Sequence, residues 1–155
     1  MAKEKIGKVL IVEDTDSLRI TLKVRLENAG LEVVSAIDGQ EAIQLLEKVI
    51  PDLILADIVM PKVNGVEFLH YVKSQKKYKD IPVIMLTAKG EKKDVMLAKQ
   101  AGADDYIIKP FDGTKLIDKV LLFIQSKKHK KNIESVQREV DQQAERRKKE
   151  KKDLL

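Results

Sequence analysis

Short apolar runs of strand length recur along the chain at Val9–Val12, Val33–Ala36, Leu53–Ala56, Val83–Leu86 and Tyr106–Ile108. Three of them show no polar alternation, the pattern of strands covered on both faces. Between them the spacing turns helical. Leu18, Leu22 and Leu26 repeat every four residues, and Ala29-Gly30 marks a helix end. Asp38 precedes Ala42, Ile43, Leu45, Leu46 and Val49, with Glu41 three residues on in the manner of a capping box. Val66–Val72 follows Asn64-Gly65, and Val95–Gln100 stops at Ala101-Gly102. Ile117, Val120, Leu121 and Ile124 follow Phe111-Asp112-Gly113 with the spacing of one helical face.

Five strands alternating with five helices predict an α/β fold, a parallel sheet with right-handed crossovers and helices on both faces. In an open sheet of this kind, ligands bind outside the carboxyl ends of the strands. Glu13-Asp14 follows the first strand, Asp57 the third, Thr87 the fourth and Lys109-Pro110 the fifth, so all four clusters are expected on one rim.

Composition narrows the picture. With 155 residues, 43% of them hydrophobic, the chain suits one domain plus an appendage. It has no cysteine, which excludes disulfides, thiolate metal sites and a cysteine nucleophile. The start MAKEKIGK is charged, and no run approaches the roughly 18 apolar residues of a membrane span, so a soluble cytoplasmic protein is expected. Charge is divided unevenly. Residues 1–126 carry 19 basic and 19 acidic side chains, whereas 127–155 carry 11 and 6 and so supply the whole net +5. The expected organisation is a domain over 1–126 and a charged, helical tail or linker over 127–155.

The stretch LIVEDTD crowds Glu13, Asp14 and Asp16 where a buried strand ends. Such carboxylates repel one another, and burial raises the cost unless a cation lies among them. Each rim cluster has an ordinary reading when taken alone: helix capping by Asp16, a strand-end acid at Asp57, a threonine turn at Thr87, a solvated lysine at Lys109. Taken jointly, carboxylates facing a lysine and a hydroxyl describe a site for a hard divalent cation and a phosphoryl group. Magnesium prefers oxygen ligands from one or two carboxylates plus phosphate, and an aspartate can itself be the phosphoryl acceptor.

The segments VLIVEDTD, DLILADIVMPKVNG, VIMLTAK and AGADDYIIKPF, in that order across residues 7–125, resemble the response-regulator receiver domain of two-component signalling, including its stand-alone chemotaxis regulators. The resemblance implies a flavodoxin-like, doubly wound five-stranded sheet of order 2-1-3-4-5 with five helices, followed here by the basic helical tail. It implies that Asp57 accepts a phosphoryl group from a histidine kinase or phosphotransfer protein. Mg2+ would then be bound by Asp14, Asp57 and the backbone carbonyl of Val59, with Glu13 acting through water. Thr87 and the N–H of Ala88 would hold phosphoryl oxygens, and Lys109 would pair with another. Pro110 would follow a cis bond, and Thr87 with Tyr106 would form a switch that reshapes the surface of the fourth helix, fifth strand and fifth helix for a downstream protein.

Val59 and Lys89 stand where the family tunes hydrolysis, and valine cannot orient an attacking water. Chemistry is expected to be self-modification and slow autodephosphorylation rather than turnover. Two other readings remain at this point: a haloacid-dehalogenase-like phosphatase, whose pattern needs an acid where Val59 stands, and a receiver-like interaction module that is never phosphorylated. In the tail, Ile133, Val136 and Val140 start a heptad seam that Gln143 and Arg147 end. A solvated helix, a contact with a partner or a phosphorylation-dependent dimer, and nucleic-acid contact all remain open there. No helix-turn-helix module follows and 29 residues are too few for one, so sequence-specific DNA binding is not expected. His70 and His129 are expected to face solvent, and Phe68 and Phe111 to be core.

Overall fold

A computed structural model of the protein describes residues 4–60, 62–88 and 92–154. Pro61, within the DLILADIVMPKVNG segment, and Lys89 lie outside the described residues. The elements run β1 (Lys8–Val12), α1 (Asp16–Asn28), β2 (Glu32–Ala36), α2 (Gly39–Leu46), β3 (Leu53–Asp57), α3 (Gly65–Ser74), β4 (Val83–Ala88), α4 (Lys92–Gln100), β5 (Asp105–Lys109) and α5 (Gly113–Asp153). The five strands form one sheet of order β2-β1-β3-β4-β5, and every pairing is parallel.

That order explains which strands lack polar alternation. β1, β3 and β4 are the three interior strands, and Val9–Val12, Leu53–Asp57 and Val83–Thr87 are all buried. β2 and β5 lie at the edges, where most residues are only half-buried. One core layer gathers Leu10, Val12, Ile54, Ala56, Val83 and Met85 of the sheet with Phe68, Leu69 and Val72 of α3. Leu22 and Leu26 of α1 are also fully buried.

Helix ends follow the sequence closely. Asp38 and Asn64 cap α2 and α3, their side chains accepting from the N–H groups of Glu41 and Glu67. α1 and α4 end at Gly30 (φ 95°) and Gly102 (φ 102°). In each case two reversed bonds close the last turn, Gly30 N–H to Glu27 with Leu31 N–H to Leu26, and Gly102 N–H to Lys99 with Ala103 N–H to Ala98. The expected cap at Asp16 is not formed. Asp16 is already helical, Thr15 holds the cap position without a side-chain bond, and the Asp16 carboxylate pairs with Arg19 instead.

Phe68 is fully buried, but Phe111 is only half-buried, and both histidines are exposed. The chain divides into two compact units, Met1–Leu121 and Leu122–Leu155. Within the second, Leu122, Ile133, Val136 and Val140 are all exposed. No helix among the described residues is long and apolar enough to cross a membrane.

Candidate functional site

Parallel strands deliver their carboxyl ends to one rim, and the register decides what meets there. Asp57, the last residue of β3, is paired with Leu86, so Thr87 and Ala88 come next on β4, and Ala88 is paired with Lys109. Glu13 follows the end of β1, whose Val12 is paired with Ala56.

Carboxylate oxygens of Glu13, Asp14 and Asp57 lie within 4.8 Å of one another. Glu13 is fully buried, Asp57 is 7% exposed and Asp14 is open to solvent. The cation that this crowding calls for is Lys109, whose Nζ lies 2.8 Å from Asp57 Oδ2 and 3.4 Å from Glu13 Oε2. Lys109 reaches them from the last strand, and its bond to Pro110 is cis. An all-oxygen, partly solvent-open donor set fits a hard divalent cation such as magnesium.

The electrostatics follow from this packing. Burial, reinforced by the charge of Asp57 and only partly offset by Lys109, raises the Glu13 carboxyl from 4.5 to about 7. For Lys109, burial works against the charged form, but the hydrogen bond and charge of Asp57 with the charge of Glu13 prevail, and its pKa rises above the usual lysine value. A carboxyl whose pKa is higher folded than unfolded contributes stability below its unfolded value and loses it as pH rises through the folded one. Glu13→Gln should therefore gain urea resistance over the wild type, in metal-free buffer, between pH 5 and 8, the difference growing across that window. A gap that narrows with rising pH would contradict this assignment.

The turn after β1 has its own support. Arg19 Nη1 donates to the Glu13 carbonyl at 3.0 Å, and Glu13 Oε1 accepts from the Thr15 N–H at 3.2 Å. Arg19 was not among the residues expected at the rim; its one sequence signal is the three-residue spacing from Asp16. Val59 N–H donates to Asp57 Oδ1 at 3.2 Å, and Val59 is 57% exposed. Thr87 is fully buried, with its hydroxyl 3.4 Å from the Ala88 carbonyl, while Ala88 itself is exposed. Tyr106 is half-buried on β5.

The start of α3 is fitted tightly against the end of β3. Gly65 N–H donates to the Ile58 carbonyl at 2.7 Å. A Cβ on Gly65 would stand 2.0 Å from the Asp57 carbonyl oxygen and 2.6 Å from Ile58 Cα. Lys62 adopts a positive φ of 64°, and its Nζ lies 3.6 Å from Asp38 Oδ2.

A protein-family model described as the response regulator receiver domain matches residues 9–121. The alkaline phosphatase synthesis transcriptional regulatory protein PhoP of Bacillus subtilis is 42% identical over 67% of this chain and 42% of its own length. The phosphate regulon transcriptional regulatory protein PhoB of Escherichia coli is 39% identical over 73% of this chain and 49% of its own. The chain thus spans less than half the length of these curated relatives. Among solved structures, the chemotaxis response regulator CheY4 of Vibrio cholerae superposes with a TM-score of 0.71 at 34% identity, over 78% of this chain and 99% of that one.

Proposed function

The chain belongs to the response regulator receiver domain family, and from that premise we propose that it is a phosphorylatable switch of the cytoplasm whose acceptor is Asp57. Its receiver portion is residues 1–126, with 127–155 a charged helical tail or linker. The observation that carries this reading is the convergence of Glu13, Asp14, Asp57 and Lys109, drawn from the ends of β1, β3 and β5, on one rim.

The step itself asks little of covalent chemistry and much of position. An Asp57 carboxylate oxygen bonds to phosphorus as the phosphorus–nitrogen bond of a kinase phosphohistidine breaks, and the imidazole departs. Lys109 and the Ala88 N–H hold developing charge on the phosphoryl oxygens. Asp14 and Asp57, the Val59 carbonyl, and Glu13 through water would hold Mg2+, which when bound neutralises negative charge on the transferred group.

Phosphorylated Asp57 presents new acceptor oxygens one register step from Thr87. We assign Thr87 to the response rather than to the transfer: its hydroxyl is drawn to the phosphoryl group, and Tyr106 takes up the space released. Because that group binds one arrangement better, it moves an existing balance by no more than the difference. Thr87→Ala should accept phosphate at a rate within about threefold of wild type yet lose the change in partner binding. Loss of acceptance would remove this division of labour.

The exposed, apolar Val59 beside Asp57 offers no hydrogen bond to an attacking water. Val59→Asn is accordingly expected to shorten the phosphoryl lifetime several-fold, measured by mass after removal of the donor; an equal or longer lifetime would refute this role.

The whole reading is tested by intact mass after incubation with magnesium and acetyl phosphate. A gain of one phosphoryl group that disappears both in Asp57→Ala and with chelator supports it. No gain in folded protein, with acetyl phosphate or a phosphorylated kinase as donor, overturns it and leaves a receiver-like interaction module.

A further inference from the structure

Lys99, in the last turn of α4, lies with its Nζ 5.0 Å from the centroid of the Tyr106 ring. The two acids nearest in sequence to that ring are engaged elsewhere: Asp104 with Lys73 at 3.0 Å and Asp105 with Lys119 at 3.0 Å. Among the described residues, the ring is therefore the group that the Lys99 ammonium faces. Lys99 and Tyr106, with Val95, Ala98 and Ala103, line a cavity of about 260 Å³ between α4 and β5.

Register places this contact close to the response machinery. Tyr106 is paired with Met85 and Ile108 with Thr87, and residues two apart on a strand share a face. Tyr106 and Thr87 thus stand diagonally on the same side of the sheet, the side on which Tyr106 packs against the core layer of Met85, Phe68 and Ala98. Because β4 and β5 are parallel, α4 runs back from the carboxyl end of β4 to the start of β5. Its last turn, with Lys99, therefore lies toward the opposite end of the sheet from Thr87, and movement of the ring toward Thr87 leads away from the ammonium.

We propose that Lys99 is a positioning residue that holds Tyr106 in the resting arrangement through this cation–π contact, and so sets how readily Asp57 modification flips the switch. The proposal rests on the receiver reading of Asp57, Thr87 and Tyr106. A contact of this kind at an exposed site corresponds to about a threefold bias. Removing it raises the share of switch-competent molecules, and a phosphoryl mimic then binds tighter by that factor. Simple loss of a positive charge would act in the opposite sense, weakening an anion.

The test is titration of the full chain with beryllium fluoride in magnesium, followed by NMR. Lys99→Met should bind about threefold tighter than wild type. Lys99→Arg, which keeps a cation over the ring, should match wild type. In a Tyr106→Leu background, Lys99→Met should have no effect. Unchanged or weaker binding by Lys99→Met, or the same gain without the ring, overturns the latch while leaving the site reading intact. No binding by wild type overturns the site reading and the latch with it.

Discussion

Gly65→Ala is expected to cost about 3 kcal/mol of stability and most of the phosphoryl acceptance at Asp57. The direction runs against helix propensity, since alanine in place of glycine at a helical position ordinarily gains about 0.5–1 kcal/mol. Here the added methyl would meet the main chain of Asp57 and Ile58, with the carbonyl oxygen of Asp57 2.0 Å away. Backbone cannot step aside as a side chain can, so either α3 or the acceptor residue must shift. A shift at Asp57 would open its 2.8 Å contact with Lys109. Gly113→Ala is the matched control. The obstacle to its Cβ is the guanidinium end of Arg25, which can swing away, so little change is expected. Urea denaturation and acetyl phosphate labelling of both variants would decide; equal behaviour would mean that the fit at Gly65 carries no energetic weight.

Removing the rim cation should be nearly as severe. Lys109→Met leaves two carboxylates, one fully buried, without the charge that balances them. Breaking a buried ion pair costs about 3–5 kcal/mol, and the partial exposure of Lys109 reduces the expectation here to about 2 kcal/mol at pH 8. The loss should shrink toward pH 5. Glu13 already titrates near pH 7 with the lysine present, and without it the carboxyl takes up its proton at still higher pH, so acid removes the repulsion. Magnesium should restore part of the loss at pH 8, because it supplies the missing positive charge. A penalty independent of both pH and magnesium would show that Lys109 acts through packing alone. Labelling of Asp57 should fall in this variant under all conditions.

The legibility of this fold varies with the range over which each feature is determined. The unbroken apolar runs at Val9–Val12, Leu53–Ala56 and Val83–Leu86 announced the three interior strands, and Asp38, Asn64, Gly30 and Gly102 marked helix ends through local chemistry. The rim was legible as a set because parallel strands bring their ends together whatever lies between. Other features depend on tertiary contact and leave no periodic trace. Nothing in LIVEDTD tells that Glu13 is fully buried while its neighbour Asp14 is exposed, since that depends on how the turn is folded back by Arg19. Asp16 looked like a cap but begins the helix, because its carboxylate is drawn to Arg19. Gly65 read only as the start of a helix, and its closeness to Asp57 appears only when α3 is laid against β3. Lys99 was one exposed lysine among many until α4 placed it over Tyr106.

The 96 residues that separate Glu13 from Lys109 also matter during synthesis. β1 and β3 leave the ribosome well before β5, so for that interval the nascent chain holds its acids without their lysine. Until the final strand docks at the sheet edge, Glu13, Asp14 and Asp57 lack the lysine that balances them in the finished domain. The acceptor site is thus among the last parts of the domain to mature, and a chain halted before residue 105 would carry Asp57 without the Lys109 that its chemistry requires.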